Sequence, residues 1–310
     1  MKKIIVSAIC LAIVSIAHTF GQTPVYPVIF DENLPAEATR NLENKVDHIL
    51  SAYGYGSVST PERMVMSVAV DVIENNVTPT NPPRVSKKID VTMKIGDVIE
   101  NKVFGSAVVS LSGIGLNDTK AFIAAFNNLK PENKVVKKLF STVDSAMEEY
   151  YAANSQVILD KARAMAIKGN FDEAIAYLVS VPPVNMDCYN ACQDLAITYY
   201  VEKVNQASQN AYSNALAAWT ANKTQAGAKE ALRYLKNVDP ASASYPQALQ
   251  LWDEISGKLD QDEIEAKEQA KKEYEDKVAF RNSIVDAVKS IGVAFGEHQP
   301  QSVTKLVRRW

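Results

Sequence analysis

Glu173–Pro183 reads EAIAYLVSVPP, and 57 residues further on Glu230–Pro240 reads EALRYLKNVDP. Glu, Ala, an aliphatic residue, Tyr, Leu, Val and a final Pro hold the same places in both. A fixed-period echo constrains architecture before any residue has a role, because each copy is a supersecondary unit that must bury its apolar edge against a neighbour. Ala174, Leu178 and Val181 fall at i, i+4 and i+7, as do Ala231, Leu235 and Val238, so each copy predicts a short amphipathic helix. Pro182 and Pro183, or Asp239 and Pro240, then stop it, since Pro lacks the N–H and restricts the residue before it. A tyrosine opens the next segment in both, Tyr189 and Tyr245. Upstream the echo extends to Leu159 with Leu216 and Ala162 with Trp219.

The first copy begins GNFDEAI, Gly169 through Phe171 to Ala174 and Ile175. It resembles the tetratricopeptide repeat in its turn Gly, aromatic and small residue at the start of a second helix. The resemblance covers roughly residues 155–256. Lys161 stands where that family usually has Leu, Pro182 comes early, and the second copy has Gln225-Ala226-Gly227 in place of the Gly–aromatic turn. The period also exceeds the ~34 residues of the standard unit. The resemblance implies degenerate long–short helix pairs and a protein-binding scaffold. The alternative is helices that only stack, as terminal repeats often do.

Lys2 and Lys3, the apolar run Ile4–Ile16 and a cleavage region at Phe20-Gly21 read as a signal peptide, residues 1–21. The run is short of the ~20 residues a membrane span needs, which disfavours an anchor. Cys10 lies inside the run, so a lipoprotein cysteine is the lesser reading. The expected location is exported: periplasmic or outer-membrane associated. The formal net charge of −3 gives no reason to expect nucleic acid. Beyond the leader two cysteines remain, Cys188 and Cys192, at i and i+4. An oxidising compartment favours a disulfide between them, although their separation on a regular helix lies near the long end of disulfide geometry. Asp187 as a cap would let the first turn adjust. The other reading is two packed thiols.

The chain after the leader divides into a polar lead-in (22–33), an α+β domain (34–130), a helical repeat domain (131–259), a long C-terminal helix (260–296) and a tail (297–310). In the α+β domain a helix is expected over Pro35–Tyr53, with Leu42, Val46, Ile49 and Leu50 as its stripe, ended by Tyr53-Gly54. Three period-two runs follow, Arg63–Ile73, Lys88–Asp97 and Val103–Ser112, predicting an antiparallel sheet with one covered face. Asn75–Pro83 is expected as a loop and Asp97–Asn101 as a hairpin turn. A helix capped by Asn117 or Asp118 closes an α-β-β-β-α module. The segment 34–130 resembles small periplasmic domains of envelope-assembly proteins near the curli-secretion lipoprotein group, and the resemblance carries no functional residue across. SGIGLND, Ser112–Asp118, lacks the third Gly and the ribose-binding acid of a dinucleotide loop, and reads as turn glycines.

Long helices are expected over Glu132–Gly169 and Asn185–Lys223. Tyr199, Tyr200, Tyr212 and Trp219 on the second are candidate partner-binding residues lining a groove; the competing reading makes them gap fillers between helices. The segment Asp260–Phe295 carries Glu→Lys pairs at i, i+4 and then an apolar stripe. The KLVRRW tail is a frayed end or a contact for an acidic partner or membrane surface.

His48 and His298 stand away from any Cys or second His, so no metal site is expected. No nucleophile elbow or H-E-x-x-H appears, and no cofactor motif. The sequence therefore points to a non-catalytic exported scaffold or adaptor that binds a protein partner in a Gram-negative envelope. The alternatives are an envelope hydrolase with a site between the two domains, built around His48 and the Gly113–Asp118 loop, and a self-associating assembly component.

Overall fold

The computed structural model describes residues 23–30, 34–59 and 62–259. The elements, in order, are β1 (Thr23–Phe30), α1 (Ala36–Ala52), β2 (Tyr55–Ser57), β3 (Met64–Thr78), β4 (Arg84–Asp97), β5 (Lys102–Gly115), α2 (Asp118–Phe126), α3 (Lys134–Ile167), α4 (Phe171–Val179), α5 (Met186–Ala221), α6 (Gln225–Leu235) and α7 (Tyr245–Ser256). The fold is mixed α+β. The expected leader, C-terminal helix and tail lie outside the described residues.

The chain forms two compact units, and the division falls inside α3 and α5. One unit holds the described residues up to Ile158 together with Ser180–Ala191. The other holds Leu159–Val179 and the described residues from Cys192 on.

The first unit is built on a five-stranded sheet of order β2-β1-β3-β4-β5. Three strands were legible as period-two runs; two were not. The lead-in is corrected: Thr23–Phe30 is β1, parallel to β3 with Tyr26 beside Val65 and Phe30 beside Ala69. It carries two prolines, Pro24 and Pro27, which a strand accommodates only at an edge or at its start. Pro27 is tolerated because the three-residue β2 pairs only with Thr23–Val25, so β1 is an edge from Tyr26 on. The loop expected at Asn75–Pro83 is shorter, because β3 and β4 stay paired out to Thr78 and Arg84.

One sheet face carries Met64, Met66 and Val68 of β3 and Ile89, Val91, Met93 and Ile95 of β4, all buried. Helix α1 contributes Leu42, Val46, Ile49 and Leu50 to the core, and α2 contributes Phe122, Ala125 and Phe126. Gly54 ends the α1 segment at φ +80, the left-handed conformation that favours glycine. The start of α3 belongs to this core as well. Phe140 stacks on Tyr53 with ring centroids 4.2 Å apart, and the Tyr53 hydroxyl donates to the Pro131 carbonyl at 2.7 Å. On the opposite face Val28, Val65 and Val98 form a small cluster with Tyr26, Phe30 and Ile99.

The second unit is helical. Both echo copies are short helices, α4 and α6, and Ala174 and Ala231 are each fully buried. Each helix ends before its proline, at Val179 and at Leu235, so Val181 and Val238 are buried from the connecting segments. Around the second copy, Ala211, Ala215 and Trp219 of α5 pack with Ala228, Ala231 and Leu235 of α6 and Leu251 and Ile255 of α7. The α6–α7 connection is tied to α5 by Ser208, whose hydroxyl accepts from the Asp239 N–H at 2.9 Å, and by Asn205, which accepts from the Ala243 N–H at 2.9 Å.

Candidate functional site

The most concentrated chemistry among the described residues lies where β3 begins and β4 turns into β5. Antiparallel register sets Met64 opposite Asp97, which brings Arg63 and Asp97 together at the end of the ladder. Their side chains are 1% and 0% exposed, and Arg63 Nε donates to Asp97 Oδ2 at 2.6 Å. The Tyr151 hydroxyl of α3 donates to the same oxygen at 2.7 Å. Asp97 Oδ1 accepts the Ile99 and Glu100 N–H groups at 2.8 and 2.9 Å, the side-chain-to-backbone turn that Asp favours. Arg63 also donates to Ser180 Oγ at 3.3 Å and to Glu100 Oε1 at 3.5 Å.

An ionised carboxylate has about four lone-pair sites. Those of Asp97 receive a guanidinium, a phenol and two backbone amides. This arrangement holds the β4–β5 turn and the start of β3 against α3. Its tyrosines are held in the neutral form. Burial, more than any charge, pushes Tyr151 up; Arg63 opposes the shift and Asp97 adds to it. Burial likewise pushes Tyr150 up to about 12, with Glu100 and then Asp97 adding. Tyr150 lies edge-on to Phe104 and to Tyr151. Nearby, burial and a hydrogen bond to Asp144 push Tyr55 up.

The sequence reading did not find this cluster. Arg63 opened a strand and Asp97 closed one, which suggested only a turn. The available signal was an Arg directly preceding the apolar Met64–Val70 run, where an unpaired charge would be costly.

The Gly113–Asp118 segment is placed differently from a turn. Gly113 and Gly115 belong to β5, where α2 lies directly on their backbone. A Cβ on Gly113 would sit 2.2 Å from the Ala121 carbonyl oxygen, and one on Gly115 2.3 Å from the Ala121 nitrogen. These glycines let a helix approach a strand. Asn117 caps α2, its side chain accepting from the Lys120 N–H at 2.9 Å. Lys87, buried on β4, pairs with Asp118 at 2.5 Å and lies 4.8 Å from the centre of the Phe122 ring.

His48 is exposed on α1. Lys120, at the start of α2, reaches Glu37, at the start of α1, at 2.8 Å. His48 stands eleven residues further along α1, roughly 16 Å at helical rise. The two candidates of the hydrolase reading therefore do not converge.

Tyr199 and Trp219 are buried within the helical unit. Tyr199 packs against Phe171, and the Trp219 indole donates to Glu254 at 2.7 Å. Tyr200 is half-buried, and Tyr212 lies half-buried against the α5–α7 core. Cys188 and Cys192 are buried thiols one turn apart on α5. The cap there is Asn185, not Asp187: its side chain accepts from the Cys188 N–H at 3.0 Å.

Among the described residues no cluster of His, Cys, Asp and Glu is suited to a metal, and no helix is long and apolar enough to cross a membrane. No protein-family model matches the chain, and no curated protein matches it. Among solved structures, the chain is similar to a minor lipoprotein from Acinetobacter baumannii at 10% identity and TM-score 0.27, over 38% of this chain and 91% of that one. It is similar to a PelC dodecamer from Paraburkholderia phytofirmans at 17% identity and TM-score 0.26, over 40% and 86%. It is also similar to a hypothetical protein from Chlamydia trachomatis at 14% identity and TM-score 0.22, over 40% and 94%.

Proposed function

We propose that this chain is an exported, non-catalytic binding protein of the cell envelope, with its helical unit acting as a scaffold of degenerate tetratricopeptide type. The observation that supports its non-catalytic part is the full internal use of Asp97, whose oxygens are taken by Arg63, Tyr151 and two backbone amides. The most chemically loaded cluster thereby serves stability. Large apolar side chains meanwhile stand at the surface of the long helices, among them Ile167, Val201 and Leu216. Singly placed surface apolars are ordinary, so the scaffold reading leans on the echoed helices and the charged, apolar N-terminus.

The test has two parts. Cell fractionation with intact-mass analysis reports whether residues 1–21 are removed and where the product resides. A leader retained on a cytoplasmic product overturns the location. Affinity capture from envelope fractions, compared with the same capture after heat denaturation of the bait, reports binding. Recovery of nothing specific to the folded bait overturns the scaffold reading.

A further inference from the structure

Besides Tyr26–Phe30 of β1, which carries Pro27, the sheet has three stretches of open strand edge among the described residues, and they are not alike. Strand β2 is three residues long. The outer half of β3, beyond the end of β1, carries Asp71 and Glu74 and a register shift between Val72 and Glu74. Short length, charge and bulges are the devices that keep an edge from pairing with another chain. The third, β5, has none of them beyond its first residues, although the Asn128 side chain donates to the Ser112 carbonyl at 3.1 Å. It is 14 residues long, keeps regular register with β4 from Gly105 to Gly115, and has neither charge nor proline from Val103 to Leu116. Its outward row is Ser106, Val108, Ser110, Ser112 and Ile114, with Val108 49% and Ile114 56% exposed.

We infer that β5 is a self-association edge: two copies of this chain pair β5 against β5, antiparallel about a two-fold axis near Ser110, joining their sheets into one. The charges at the strand's ends select a second copy and the antiparallel sense. Lys102 starts the strand, while Asp118 follows its end and stays 62% exposed despite its pairing with Lys87. Antiparallel pairing sets the Lys102 end of each copy beside the Asp118 end of the other; parallel pairing would set like charges together. Small Ser and β-branched side chains face one another across the centre, with no like charges opposed. The contact is isologous and closes at two copies. It uses a strand edge, not the helices of the proposed scaffold, and stands or falls independently of that reading.

Sedimentation of the full exported chain tests it. The expected result is a two-copy species that Val108→Lys/Ile114→Lys converts to one copy, with far-UV circular dichroism unchanged because both side chains already face water. A native chain that is monomeric at every concentration overturns the inference, as does a dimer that survives both lysines. Cysteine pairing fixes the sense. Under mild oxidation Ser110→Cys is expected to cross-link, because its copy lies directly across the axis and within disulfide reach. Lys102→Cys is not, because its copy lies roughly 50 Å away along the strand. Cross-linking by Lys102→Cys and not by Ser110→Cys overturns the antiparallel arrangement, with the native chain under the same oxidant as the control.

Discussion

Arg63 and Asp97 are buried together at the end of the β3–β4 ladder, 2.6 Å apart, and the hydroxyl of Tyr151 shares the carboxylate oxygen that Arg63 holds. A charge pair so far from water is sustained only by complete pairing, because desolvation opposes each ion and the mutual attraction must offset it. The cluster therefore stands or falls as a unit.

Asp97→Ala is expected to destabilise the sheet unit by about 3–5 kcal/mol, since it strands the Arg63 guanidinium and frees the Ile99 and Glu100 amides. The double variant Arg63→Met/Asp97→Ala should cost less than the sum of its single variants. Urea unfolding measures both. Additive losses would mean the two side chains do not interact.

Gly113→Ala should be more damaging than Gly54→Ala. The first drives a Cβ to 2.2 Å from the Ala121 carbonyl oxygen, so α2 must lift from β5; overpacking of this kind costs about 1–3 kcal/mol or more. The second meets open space and costs only the strain of a left-handed conformation at φ +80. Thermal melts of the two variants decide the order, and an equal shift would mean α2 is not seated on the strand.

Alkaline pH should unfold the protein in a step. Tyr55 and Tyr151 in the folded state hold their protons above the usual value near 10, chiefly through burial. A raised folded pKa means the native state binds more protons than the unfolded state above that pH. Stability is therefore complete below about pH 10 and falls as pH rises, by roughly 1.4 kcal/mol per pH unit for each tyrosine withheld. Phenolate absorbance should rise together with loss of near-ultraviolet circular dichroism. A smooth rise with the fold intact would contradict the burial of these rings.

Cys188 and Cys192 should resist thiol reagents in the folded chain and both react once it is unfolded without reductant. Both are buried, and Asn185 caps the turn that carries Cys188. Thiol counting in denaturant yields two for a chain that has lost residues 1–21. A count of zero would establish the disulfide that the oxidising compartment favours.

Local features were legible in the residues. The stripe of Leu42, Val46 and Ile49, the Asn117 cap and the alternation through Ile89–Ile95 each depend on neighbours within a turn or a strand. The 57-residue echo was legible for the same reason: each copy carries its own helical period. Gly54 lay within reach because the left-handed turn after α1 is a local demand.

What remained hidden rests on pairing between distant segments. Thr23–Phe30 contains two prolines and becomes a strand only because β3 offers it a parallel neighbour while β2 leaves most of its other side open. Gly113 and Gly115 looked like a turn until α2 was laid on them. Arg63 and Asp97 are 34 residues apart and meet only through strand register. The packing of α3 is of the same kind, since its Phe140 and Leu139 bury themselves on Tyr53 and Gly105. Periodicity along a chain states which face of an element seeks cover; which element supplies that cover is decided in three dimensions.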